Sequence, residues 1–180
     1  MDVSTQKKQD DRFWKILDAV LYLEVQKGHL LWKVSDIARV TKVTRSLIYY
    51  YFGKSKQEIV QVALKVVGEE FFGLSPNRLD LWKKGNFSQS VLETRKQIEK
   101  APHVFVFYLN WRNRESELKK QLVQLENRYL SKLMESFKGI TIEEARALFA
   151  IFLGLVSTPL IQEQDIEVAC TAISTVLKPK

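Results

Sequence analysis

The sequence predicts an all-α protein of about nine helices, and three observations carry that prediction. Apolar residues recur at three- and four-residue steps along nearly the whole chain. Only one stretch, His103 to Leu109, reads as a strand by its Val-Phe-Val-Phe-Tyr composition; no second strand is there to pair with it, so it too is read as helix. Of the 180 residues, 46% are apolar and 11% aromatic, enough to bury a real core and to exclude a disordered tail.

The elements follow in order. Arg12–Lys27 carries Phe13, Ile16, Ala19, Val20 and Leu23 on one face, and Gly28 stops it. A short helix over Val34–Val40 gathers Val34, Ile37 and Ala38. Thr44 then precedes Arg45–Phe52, where Leu47, Ile48, Tyr51 and Phe52 share a face; the threonine hydroxyl suits an N-cap, and Gly53 ends the run. Lys56 to about Phe72 sets Ile59, Val62, Ala63 and Val66 together until Gly73 and Ser75-Pro76 break it. Asn86 and Gln89 fit a capping box for a helix reaching Lys100, and Pro102 suits the first turn of its successor. Glu115–Lys138 bears the stripe Leu118, Leu122, Leu125, Tyr129 and Leu133. Thr141 and Glu144 form a second box for a helix ending near Thr158 before Pro159. Asp165 reads as the N-cap of a last helix running to Leu177.

Charge is unevenly spread. The chain is +7 overall, yet Lys27 to Lys56 alone holds seven bases (Lys27, Lys33, Arg39, Lys42, Arg45, Lys54, Lys56) against one acid, Asp36. A block of +6 is either a solvated face or the footprint of an anionic partner. The longest apolar run, Ala147 to Val156, falls short of the roughly 18 residues a membrane span needs. Residues Met1 to Asp11 do not read as a secretory signal, so a soluble cytoplasmic protein without membrane partners is expected. The single cysteine, Cys170, excludes an intramolecular disulfide and a multi-cysteine zinc site. With only His29 and His103 besides, and no metal-ligand spacing or nucleophile motif, the pattern predicts neither an enzyme nor a resident metal or cofactor.

The basic block coincides with two short helices joined by a tight turn, the second capped by Thr44, which is a helix-turn-helix pattern. The second helix of such a unit enters the DNA major groove with its N-terminal residues toward base edges. Those residues are Thr44, Arg45 and Ser46; arginine can pair with guanine through two bonds, and serine can bond several bases. An ordinary helical hairpin would leave the same side chains merely solvated. The +6 balance favours the DNA reading.

Residues Trp14 to about Val62 resemble the N-terminal domain of the TetR type of bacterial transcriptional regulators. The likeness rests on Ile16-Leu17-x-Ala19, Gly28, Asp36-Ile37-Ala38, Val43-Thr44, and Ile48-Tyr49-Tyr50-Tyr51-Phe52 followed by Lys56 and Ile59. It implies a DNA-binding domain over 1–55, with its motif at about 33–52, and a helical regulatory and dimerisation domain over 56–180. By position, Thr44 would touch phosphate, Arg45 and Ser46 would face bases, and Tyr49, Tyr50 and Tyr51 would reach the backbone or thymine methyls. Lys56 would hold a phosphate, and Lys33 and Lys54 complete the basic contact set. Ile37, Ala38, Val43, Ile48 and Phe52 would be core.

Three positions depart from the family pattern. Trp32 stands where a threonine usually caps helix two. Lys42 stands where the turn usually has glycine, and Lys54 or Ser55 extends the loop before Lys56. The first two departures, Trp32 and Lys42, motivate the second reading, a helical scaffold or partner-binding protein that has lost specific DNA binding.

For the remainder, the resemblance implies a ligand-responsive repressor: a homodimer on a pseudo-palindromic site in double-stranded DNA, with a small-molecule effector pocket in its middle helices. The candidate pocket residues are Phe72, Trp82, His103, Phe107, Asn110 and Trp111. Around Ala145–Leu160 the helix is apolar on nearly every side, which points to burial on both: the second side lies against a partner subunit, or else the helix is the central one of a single monomer. Leu148, Ile151, Phe152 and Leu155, with Ile173 of the last helix, are the candidate dimer seam.

Overall fold

The computed structural model describes residues 11–137 and 139–176. Among these the regular structure is helical and no strand forms: α1 (Asp11–Lys27), α2 (Val34–Thr41), α3 (Arg45–Phe52), α4 (Lys56–Val66) with a π turn Val67–Phe71, α5 (Pro76–Lys83), α6 (Phe87–Lys100), α7 (Val104–Arg112), α8 (Glu117–Ser136), α9 (Ile142–Ser157) and α10 (Glu163–Val176). The chain divides into two compact units, Met1–Val67 with Ile98–Leu122, and Gly68–Gln97 with Val123–Lys180.

The first unit is organised around α1. Ile16, Leu17 and Val20 of α1, Ile37 of α2, Ile48 and Phe52 of α3 and Ile59 of α4 are all buried. Phe13 stacks on Phe52 with centroids 4.9 Å apart. Each such apolar side chain taken from water contributes about 1.5–3 kcal/mol before ordering costs. Asp18 of α1 ties down α7, accepting from the His103 backbone N–H at 2.9 Å and lying 2.9 Å from its ring Nδ1.

The second unit is built on aromatic rings. Tyr129 of α8 is fully buried, with Trp82 and Phe149 each at 5.0 Å, Phe152 at 5.4 Å and Phe72 at 6.4 Å between centroids. Burial pushes its phenol well above the ordinary range. Beside it, Arg78 of α5 is 2% exposed. Its guanidinium donates to the Ser90 hydroxyl at 3.1 Å, to the Ser90 carbonyl and to the Thr94 hydroxyl, and lies 3.4 Å from Glu93. Desolvation disfavours its charge, and Glu93 and Glu70 counter that in part. Cys170 is buried in α10, and burial pushes its thiol up to about 11.

The structure corrects several sequence expectations. The fourth helix ends at Val66 and continues as a π turn to Phe71. Ser75-Pro76 opens a helix instead of marking only a break, because Pro76 sits in the first turn of α5, where its missing N–H costs nothing. Pro102 lies just before α7, whose N-cap is His103. Asp165 does not cap α10; it lies inside the first turn and accepts the Gln162 N–H at 2.8 Å. The expected ends at Lys138 and Leu177 fall outside the described residues. Thr141 and Glu144 do form the expected box, with bonds of 3.2 and 2.7 Å.

Helix α9 shows which of its apolar faces turns inward. Leu148, Phe152 and Leu155, expected in the dimer seam, are buried inside their own subunit with Ala145 and Val156. The outward stripe is Ala147, Ala150, Ile151 and Gly154, all exposed, while Ile173 of α10 is half-buried. Of the expected seam residues, Ile151 is therefore the exposed one on this helix.

Candidate nucleic-acid interface

Each short helix of the motif is built by local chemistry. The Thr44 hydroxyl accepts the Leu47 N–H at 3.3 Å and so opens α3. Between α2 and α3, Lys42 has φ 58° and ψ 28°, a left-handed residue ending α2. Holding lysine there costs about 1 kcal/mol relative to glycine, and it keeps a cation in the turn. Gly53 closes α3 at φ 101°, and a Cβ there would meet Glu58 Oε2 at 2.6 Å. That glutamate accepts the backbone N–H groups of Lys54 at 2.7 Å and Ser55 at 3.3 Å, while the Ser55 hydroxyl accepts the Glu58 N–H at 3.1 Å. The two backbone bonds hold the Glu58 carboxyl below its ordinary value. The extra loop residue thus completes a capping box for α4.

Helix α2 begins one residue later than the likeness suggested. Its N-cap is Lys33, not Trp32, and Asp36 accepts the Lys33 N–H at 2.8 Å. Trp32 is withdrawn into the core with no exposed surface. Asp36 also binds Lys27 at 2.7 Å and Arg39 at 3.2 Å. The Lys27 ammonium, then the Lys33 N–H, hold its carboxyl below the usual carboxylate value. Two of the seven bases in the block are thus engaged by its single acid.

Lys33, Val34, Ser35, Arg45, Tyr49 and Lys56 line one cleft of about 400 Å³. It joins the start of α2, the first turn of α3 and the start of α4, with three cations around it. The Lys56 ammonium donates to the Leu30 carbonyl at 2.5 Å, so its position is fixed within the fold. A phosphate fits this cleft by size and charge. Along α3, Thr44, Arg45, Ser46, Tyr49 and Tyr50 are exposed, as is Lys54 beyond it. Tyr51 instead turns toward the core, half-buried, its ring edge-on to Phe13 at 5.7 Å. Of the expected core residues, Ile37, Ile48 and Phe52 are buried, whereas Ala38 and Val43 are half-buried. Sequence reasoning missed Glu24, a fully buried carboxylate behind the motif. Its charge alone reads as a solvent-facing residue of α1.

The six candidate pocket residues do not form one described set. Phe72 and Trp82 belong to the second unit's aromatic core, where Trp82 donates to the Ser90 hydroxyl at 3.0 Å. His103, Phe107, Asn110 and Trp111 belong to the first unit. His103 is engaged by Asp18 and serves as a clasp between helices. Asn110 Nδ2 and Trp111 Nε1 are buried with no hydrogen-bond partner among the described residues. No group of three or more His, Cys, Asp or Glu that could hold a metal ion occurs among the described residues. No helix among them is long and apolar enough to cross a membrane.

The fold defines a class. The chain has the TetR-type regulator fold, and solved structures with that label align over nearly its whole length. A TetR family transcription regulator from Marinobacter aquaeolei is 14% identical, with a TM-score of 0.58, covering 98% of this chain and 100% of that one. A putative TetR-family transcriptional regulator from Rhodococcus sp. is 16% identical, TM-score 0.56, covering 93% and 99%. The regulator PfmR from Thermus thermophilus is 18% identical, TM-score 0.52, covering 91% and 94%. No protein-family model matches the chain, and no curated protein matches it.

Proposed function

We propose that this chain is a sequence-specific transcriptional regulator of double-stranded DNA, a cytoplasmic homodimeric repressor rather than an enzyme. In this reading residues 1–55 bind DNA and 56–180 regulate and dimerise. The observation that carries it is the cleft of Lys33, Arg45 and Lys56 beside a Thr44-capped helix whose Arg45, Ser46, Tyr49 and Tyr50 are exposed. Phosphate in the cleft would set the register, and the exposed face of α3 would read bases. The scaffold alternative drew on Trp32 and Lys42. The Asp36 cap at Lys33 and the turn formed at Lys42, with its charge kept, support DNA binding over that alternative.

Arg45→Ala is expected to weaken operator binding by about 1–3 kcal/mol and to relax preference at one base pair per half-site. Fluorescence anisotropy on single-base operator variants measures both; unchanged binding to cognate and scrambled DNA would reduce Arg45 to a solvated residue. Lys56→Ala should weaken cognate and unrelated duplexes alike and flatten the salt dependence by about one unit per contact. An effect confined to one base pair would reassign Lys56 to base reading.

The operator is a pseudo-palindrome in this reading, since two symmetric subunits present two copies of α3. Its affinity changes with a small, largely apolar effector. The unpartnered N–H groups of Asn110 and Trp111 support a ligand that brings a hydrogen-bond acceptor to α7. Tenfold release from DNA needs only about 1.4 kcal/mol of coupling. Footprinting of the purified protein on the region flanking its own gene tests the symmetric site.

A further inference from the structure

We propose that Glu24 is a positioning residue for DNA binding: its buried carboxylate folds the α1–α2 turn so that Lys33 and Lys56 flank one phosphate cleft. The proposal rests on the DNA-binding reading above. Glu24 has no exposed surface, a costly place for a carboxylate unless several donors satisfy it. Among the described residues, its partners come from the turn itself. One oxygen accepts the Trp32 indole N–H at 2.6 Å and the Leu30 backbone N–H at 3.2 Å, and the other lies 2.9 Å from His29 Nδ1.

The turn these bonds shape is not one that leucine adopts readily. Leu30 has φ 58°, in the left-handed region, following Gly28 at φ 93°. In that conformation the Leu30 carbonyl accepts the Lys56 ammonium at 2.5 Å. An ammonium has three N–H donors, so one bond to Leu30 fixes it and leaves two for a phosphate. On the other side of the turn, Trp32 is anchored by Glu24 and immediately precedes Lys33, the N-cap of α2. One carboxylate thus holds the chain on both routes to the cleft that Lys33, Arg45 and Lys56 line. An apolar residue would fill the space but would leave the Leu30 and Trp32 N–H groups unpaired and the turn unspecified.

The test is a double-mutant cycle read on a mixed-sequence DNA duplex, with affinity and salt slope both measured. Lys56→Ala alone should lower affinity about tenfold and the slope by about one. Glu24→Leu should do at least as much, since it also releases Lys33, and the double variant should be no worse than Glu24→Leu alone. Glu24→Gln keeps an acceptor for Trp32 and Leu30 and can donate to His29, so it should bind within about twofold of the parent. Should Glu24→Leu fail to fold by circular dichroism, Trp32→Phe, which removes the indole N–H and keeps a smaller aromatic ring, takes its place in the cycle. Losses that multiply to about a hundredfold, with the Lys56 share of the slope intact in the Glu24 or Trp32 variant, would overturn the proposal and leave DNA binding standing. A parent protein with no salt-dependent DNA binding would remove both.

Discussion

Arg78→Leu is expected to lower the stability of the protein by about 3 kcal/mol. The guanidinium is 2% exposed and serves the Ser90 hydroxyl and carbonyl, the Thr94 hydroxyl and Glu93 at once. Leucine fills part of the volume but removes the guanidinium's bonds to the Ser90 hydroxyl and carbonyl and to the Thr94 hydroxyl, and puts apolar carbon against these buried polar groups. Glu93 is 38% exposed and can turn to water, which keeps the loss below that of a fully buried pair. Arg78→Lys should recover little, because one ammonium cannot match a planar fork meeting groups in several directions. Urea unfolding followed by tryptophan fluorescence measures the loss, Trp82 sharing Ser90 with Arg78. A change under about 0.5 kcal/mol would mean that the cluster is replaceable, as an ordinary surface site is.

Gly154→Arg is expected to abolish self-association while leaving the subunit folded. A Cβ at Gly154 meets nothing within 4 Å, so the subunit itself has room for the new side chain. Gly154 lies on the outward stripe with Ala147, Ala150 and Ile151, small residues that let a second helix approach closely. Trapping an unpaired guanidinium in such a seam costs several kcal/mol, a weakening of at least about a hundredfold. Sedimentation and circular dichroism together decide it: a folded monomer supports the seam, and an undisturbed dimer moves the interface elsewhere. The matching change at Phe152 would be uninformative, since that ring is buried in its own subunit.

The sequence made the reading head legible because its determinants are local. Thr44, Ile48 and Phe52 lie within three turns of one helix, and a cap plus an apolar face specify it without tertiary knowledge. The basic cleft was half legible: the charge block was plain, but its folding around Lys33, Arg45 and Lys56 depends on contacts between α2, α3 and α4. Glu24 was illegible, because a carboxylate in an amphipathic helix reads as solvent-facing and its partners lie five to eight residues away in an irregular turn. Helix α9 shows another limit. Where Leu148, Ile151, Phe152 and Leu155 are all apolar, periodicity cannot say which face belongs to the subunit's own core. The candidate pocket residues are divided between the two compact units, Phe72 and Trp82 in one and His103, Phe107, Asn110 and Trp111 in the other, a division that nearness in sequence does not show.

The burial of Cys170 makes the natural chain a blank background for thiol chemistry. With its thiol raised to about 11, only roughly one part in ten thousand is thiolate at neutral pH, and the sulfur is shielded as well. A cysteine introduced at an exposed position, such as Val40→Cys on α2, where the side chain is 49% exposed, becomes the one reactive thiol per subunit. In the proposed dimer, a spin label there would turn the spacing of the two copies of α2 into a distance that dipolar spectroscopy measures directly, with and without added DNA.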